Sequence, residues 1–173
     1  WITSRGLGDV YKRQLFNKVS NLVSFPVALA MRYGSISIYN GLKELNDKGI
    51  KKITVLPLYP HYAMSSYETV VEKVKEQSEL HFPHLKIKTI KPFYNDKNYI
   101  NLLSNKINDT IKKIDYDHIL FSYHGIPVSH LKISDPTKSH CYKVKDCCNK
   151  KSQAHEFCYC LLYTSDAADE LCS

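Results

Sequence analysis

The feature that most constrains this chain is an alternation of short β-branched runs with stretches of helical period. Ile53-Thr-Val-Leu-Pro-Leu58 is a compact apolar run, and Leu85 to Ile90 alternates apolar with polar residues. Between them Val70, Val71 and Val74 share one helical face, behind a capping-box pattern at Ser65 and Glu68. Ile38, Leu42 and Leu45 mark an earlier helix, stopped by Gly49. A later helix carries Ile100, Leu103, Ile107, Ile111 and Ile114, after a turn at Asn95-Asp96-Lys97. His118 to His124 reads as a further strand, closed by Gly125 and Pro127. Strands separated by helices predict βαβ units, a parallel sheet and the α/β class.

In open α/β sheets ligands sit beyond the carboxyl ends of the strands. Two such ends are rich in polar aromatic residues: Tyr59-Pro-His-Tyr62, and Ser122-Tyr-His-Gly125. His124 supplies an imidazole able to take a proton near neutral pH or to bind a divalent metal. Tyr59, His61 and Tyr62 suit a flat conjugated ligand, or packing beneath a loop. Arg32 and Tyr33 precede a helix, where the guanidinium can neutralise a carboxylate or simply face solvent. Neither a Gly-rich phosphate loop nor a Gly-x-Ser-x-Gly elbow occurs, so phosphate binding and serine hydrolysis have no support.

The composition, with 43% hydrophobic and 12% aromatic residues, excludes a disordered or collagenous chain. No apolar run reaches the ~20 residues of a membrane-spanning helix, and no secretory signal pattern is present. The expected location is therefore the cytoplasm. Net charge is +7, which suits an anionic partner or a lysine-rich solvated face.

The two ends read differently from the middle. Trp1 to Gln14 shows no helix or strand period, and Cys160 to Ser173 is equally featureless. Back-translating Asp9 to Gln14 gives a string whose reverse complement, in another frame, reads Cys160 to Ser165. An inverted repeat of this kind resembles translated sequencing-adaptor text. The expected organisation is therefore residues 1–14 and 160–173 adaptor-derived, with native sequence over 15–159. Removing the ends leaves 21 basic and 13 acidic residues, a charge of +8. It also leaves four cysteines, Cys141, Cys147, Cys148 and Cys158, interleaved with His140 and His155. Such a stretch admits zinc, an iron–sulfur cluster or reduced thiols. Disulfides are disfavoured because nothing indicates secretion.

Three stretches together resemble the ferrochelatase family: Met31-Arg-Tyr-Gly34 with its following helix, Val55-Leu-Pro-Leu-Tyr-Pro-His-Tyr62, and Phe121-Ser-Tyr-His-Gly-Ile-Pro127. The resemblance implies a chelatase-like fold of two Rossmann-like domains around a porphyrin cleft, only partly present here. Residues 15–95 would be the later part of the first domain and residues 96–159 the beginning of the second. It implies insertion of Fe²⁺ into a porphyrin, with His124 as active-site base or metal ligand. Arg32, Tyr33, Tyr59, Tyr62 and Ser122 would belong to the porphyrin pocket. His61 departs from the family's usual Gln and takes no role.

The family's carboxylate motif that partners the histidine is absent from this sequence, so the chain alone is expected not to chelate. A [2Fe–2S] cluster or zinc at Cys141, Cys147, Cys148 and Cys158 follows the internal cysteines of some bacterial members. Ala63 and Met64 stand where the animal enzymes carry a cluster cysteine. Two rivals remain: a cobalt or nickel tetrapyrrole chelatase, and a zinc-dependent nucleic-acid module using the Cys/His stretch. The latter lacks aromatic–basic interleaving, and no nucleic-acid partner is expected. Peripheral membrane contact and oligomeric state are left open by the sequence.

Overall fold

The computed structural model describes residues 2–122 and 125–158. The described residues fall into two compact units: those within 2–57 and 69–90, and those within 58–68, 91–122 and 125–158.

The first unit is built on a parallel pair of strands. Strand β1 (Lys52–Val55) pairs with β2 (Lys86–Thr89) in register Lys52 with Lys86 and Val55 with Thr89. A crossover helix, α3 (Thr69–His81), joins them, as parallel pairing requires. Helix α2 (Ile38–Asp47) supplies the other wall. Its N-terminus is capped by Ser37, whose hydroxyl accepts the Asn40 N–H at 3.1 Å. Gly49 closes it with φ +76°, donating to Asn46 O at 2.8 Å. Ile38, Leu42 and Leu45 from α2 meet Ile53, Val74, Phe82 and Leu85 in one core cluster. Each of the larger aliphatic side chains buried there contributes about 1.5–3 kcal/mol.

Both strands are shorter than the apolar runs that predict them. Pro57 has no N–H for a ladder, so β1 stops at Val55. Leu56 and Leu58, expected inside a buried strand, are about half exposed.

Helix α1 (Ile2–Leu22) spans the N-terminal stretch in which the sequence shows no apolar period. It forms without an apolar stripe: Val10, Tyr11, Leu15, Val19 and Leu22 are all exposed. It ends at Leu22, ahead of Pro26.

In the second unit, α4 (Lys97–Ile111) starts where the Asn95-Asp96-Lys97 turn predicts. The Asp96 carboxylate accepts the N–H groups of Asn98 and Tyr99 at 2.9 and 3.0 Å. The strand expected over His118 to His124 does not form across 118–122. Ile119, Leu120 and Phe121 are exposed and meet no neighbouring strand among the described residues, so no ladder fixes them. Helix α5 (Val128–Ser134) follows, and short 3₁₀ turns occupy Cys147–Asn149 and Gln153–Phe157. Among the described residues, no helix is long and apolar enough to cross a membrane.

Candidate active site

The polar aromatic loop after β1 belongs to the second unit, and one carbonyl secures it. Pro60 O accepts the N–H groups of both Phe93 and Tyr94 at 2.9 Å. This double acceptor ties the loop to the segment beginning at residue 91, with which residues 58–68 form one compact unit. The His61 ring stacks on Tyr94, with centroids 5.3 Å apart and planes 15° from parallel. Partial burial there lowers the His61 pKa and favours the neutral ring.

Tyr62 lies at the centre of an aromatic group. Its ring meets Phe157 edge-on at 4.8 Å and Tyr67 at 6.0 Å. Its hydroxyl donates to Glu68 Oε2 at 2.8 Å. Burial, then the Glu68 hydrogen bond, push the phenol up to about 12, against an opposing hydrogen bond to Ser134. Glu68 therefore does not complete a capping box with Ser65. The helical segment opens as a π turn, Met64–Glu68, whose Ser66 and Glu68 N–H groups both reach Ala63 O. Tyr59 is 39% exposed and accessible to a ligand.

Arg32 and Tyr33 belong to the first unit. They sit on a turn closed by Met31 N–H donating to Ile36 O at 2.7 Å, with Gly34 at φ +106°. The Arg32 guanidinium lies 4.8 Å above the Tyr33 ring, and its Nε is buried without a hydrogen-bond partner. Tyr33 is 74% exposed. Ser122 is exposed at the end of the extended run, and His124 lies outside the described residues.

The cysteine stretch folds around a residue that sequence reasoning missed. Asp135 is 2% exposed, and its carboxylate accepts the N–H groups of Thr137, His140 and Cys141, each at 2.9 Å. Thr137 Oγ1 adds a fourth bond at 2.7 Å. Burial alone would raise the carboxyl's pKa; these donors outweigh it and hold the group well below the usual carboxylate range. The Asp135-Pro136-Thr137 turn pattern is the signal that could have found it.

The loop turns Cys141 inward, where its thiol is hydrogen-bonded with Cys158. Burial first, then the Cys158, Asp135 and Cys147 charges, push the Cys141 thiol up to about 12. No disulfide joins Cys141, Cys147, Cys148 or Cys158. The Nε2 atoms of His140 and His155 both donate to Cys147 O, at 2.8 and 3.1 Å. Those nitrogens are thus committed to a carbonyl. Among the described residues, no three or more His, Cys, Asp or Glu side chains are arranged to hold a metal ion. The described residues do not form a ready zinc or cluster site.

A parallel strand pair joined by a crossover helix, with a polar aromatic loop directly after the first strand, fits a partial α/β protein of the chelatase-like class. The chain belongs to the ferrochelatase family, whose family model matches residues 5–170. It is 46% identical to the ferrochelatase of Opitutus terrae (strain DSM 11246 / JCM 15787 / PB90-1) over 134 residues, which are 78% of this chain and 39% of that protein. With the ferrochelatase of Pseudomonas fluorescens (strain SBW25) it shares 37% over 150 residues, 84% of this chain and 44% of the relative. The chain thus spans about two fifths of the length of these curated relatives.

Proposed function

We propose that this chain supplies part of the porphyrin cleft of a ferrochelatase, a lyase that inserts Fe²⁺ into a porphyrin in haem biosynthesis. The observation that carries the reading is the family match, which runs through the segments bearing Arg32, Tyr59 and Ser122 to Gly125. In the reaction Fe²⁺ enters as substrate and two pyrrole protons leave to solvent. A base poised near neutral pH beside the macrocycle lowers that barrier, and His124 takes this role, as base, metal ligand or both. In the second unit Tyr59 and Tyr62 offer aromatic surface to the flat ring and Ser122 a hydroxyl; in the first unit Tyr33 is the aromatic candidate. Arg32, with its orphaned buried Nε, faces a porphyrin carboxylate. The native portion is residues 15–159, and the protein acts in the cytoplasm.

Grafting residues 15–159 into the matching region of the Opitutus terrae protein tests this reading. The graft should form haem from Fe²⁺ and porphyrin and lose that activity with His124→Ala. The chain alone should give no metalloporphyrin above its own His124→Ala control. A graft that loads cobalt or nickel in preference to iron overturns the iron reading.

A second reading places a [2Fe–2S] cluster or zinc at Cys141, Cys147, Cys148 and Cys158. The contact between the Cys141 and Cys158 thiols favours it, although binding would require the loop to rearrange. Anaerobically purified protein holding neither zinc nor iron with sulfide, and showing no visible charge-transfer absorption, overturns it.

A further inference from the structure

Two of the internal cysteines touch. The Cys141 thiol is hydrogen-bonded with that of Cys158, so the two sulfur atoms lie side by side with no bond between them. Each end of the pair is held by contacts of its own. The Asp135 carboxylate accepts the Cys141 N–H at 2.9 Å. Cys158 follows the 3₁₀ turn Gln153–Phe157, which is fastened by His155 Nε2 on Cys147 O at 3.1 Å and by the edge of Phe157 on Tyr62. The two thiols differ in access. Cys141 is 5% exposed, whereas Cys158 is half-buried and lines a cavity of about 410 Å³ between Tyr94 and the 151–158 segment. Cys141 is not part of that lining.

We infer that Cys158 and Cys141 form a reversible redox pair, in which a small-molecule disulfide of the glutathione type enters at Cys158 and leaves a Cys141–Cys158 disulfide behind. Contact and access together fix the order of events. The Cys158 sulfur attacks one sulfur of the small disulfide, a mixed disulfide forms, and one small thiol departs with the proton that Cys158 gives up. Cys141 then attacks the Cys158 sulfur beside it, and the second small thiol departs with the Cys141 proton. Two protein thiols and one small disulfide thus become one protein disulfide and two small thiols. Burial keeps a bulky disulfide from reaching Cys141 first. A transient bond of this kind suits a reducing compartment, where lasting structural disulfides do not persist. Neither step needs a porphyrin or a metal, and zinc or a cluster on the same sulfurs would exclude the bond.

The experiment uses the whole 173-residue chain carrying Cys160→Ser and Cys172→Ser. Its tryptic peptides 139–143, 146–150 and 152–173 then hold Cys141, Cys147 with Cys148, and Cys158. Treatment with chelator and then oxidised glutathione should leave the protein two hydrogens lighter, with peptide 139–143 linked to 152–173. Dithiothreitol should reverse the link. Adding Cys141→Ser should instead accumulate glutathione on Cys158. Adding Cys158→Ser should slow glutathione uptake at Cys141 at least about tenfold relative to uptake at Cys158. Hydrogen exchange at the His140 and Cys141 amides should stay unchanged in both variants, showing the Asp135 loop folded. The linkage map needs no variant within the pair, so it decides the matter even if a variant unfolds. Thiols left unreacted after chelator treatment overturn the inference. So does a link confined to 146–150, a link from 139–143 to 146–150, or equally fast uptake at Cys141 in a folded Cys158→Ser protein.

Discussion

The Tyr62 hydroxyl donates to the Glu68 carboxylate at 2.8 Å, joining the aromatic loop to the π turn that opens the crossover segment. A neutral phenol donating to a carboxylate is lost when the phenol ionises. The folded pKa, about 12, lies above the ordinary 10.0, so this contribution is complete below pH 10 and disappears as pH rises through 12. Difference absorbance titration of the protein against Tyr62→Phe should show one tyrosine ionising near pH 12. Tyr62→Phe should cost about 1–2 kcal/mol in urea unfolding of the second unit.

Asp135 has the opposite sign. Its folded pKa lies below the ordinary 3.8, so the stability it confers is present above that value and is lost as pH falls below it. Asp135→Ala leaves the N–H groups of His140 and Cys141 without their acceptor. Hydrogen exchange at those two amides should accelerate at neutral pH, with a loss of about 3 kcal/mol in the loop. Acidification of the unsubstituted protein below pH 3.8 should reproduce part of the effect.

Leu42 is 5% exposed within the core that α2 shares with β1 and α3. Leu42→Ala should lower the stability of the first unit by about 2–5 kcal/mol, measured as a shift in its denaturant midpoint. Tyr62 titration should not change, because Tyr62 belongs to the other unit.

Gly34 separates two kinds of cost. A Cβ added there meets nothing within 4 Å, so Gly34→Ala pays only for the backbone at φ +106°. That strain is about 1–3 kcal/mol. Because Arg32 and Tyr33 ride on this turn, the porphyrin-cleft reading adds a second outcome. In the Opitutus terrae graft, Gly34→Ala should raise the porphyrin KM more than it lowers kcat.

Much of this architecture is legible in the sequence because its apolar periods are unambiguous. Ile38, Leu42 and Leu45 predict α2, and Ile100 to Ile111 predict α4, with Asp96 and Gly49 marking ends where capping chemistry demands them. Helix α1 escaped because it has no stripe to read. The strand at 118–122 was expected from β propensity, yet propensity without a paired neighbour builds no ladder. Glu68 matched a capping pattern, and the nearby Tyr62 hydroxyl took its carboxylate instead. Asp135 was overlooked because its role depends on three amides brought back to it by the turn, which residue type alone does not announce. Within the site, Tyr59, His61 and Tyr62 were legible as a cluster. Their partners Tyr94 and Phe157 lie 33 and 95 residues further along, at distances no local pattern covers.

The double bond to Pro60 carries a consequence for chain length. One carbonyl clasps two consecutive amides, and Phe93 O in turn accepts the Asp96 N–H at 3.0 Å, so the tyrosine loop and the α4 cap are held by one short run of backbone. An added residue between Phe93 and Asp96 would disturb the clasp on the tyrosine loop and the Asp96 cap together. Length variation among relatives should therefore avoid that stretch and collect after α4, around residues 113–118, where exposed side chains hold little in place.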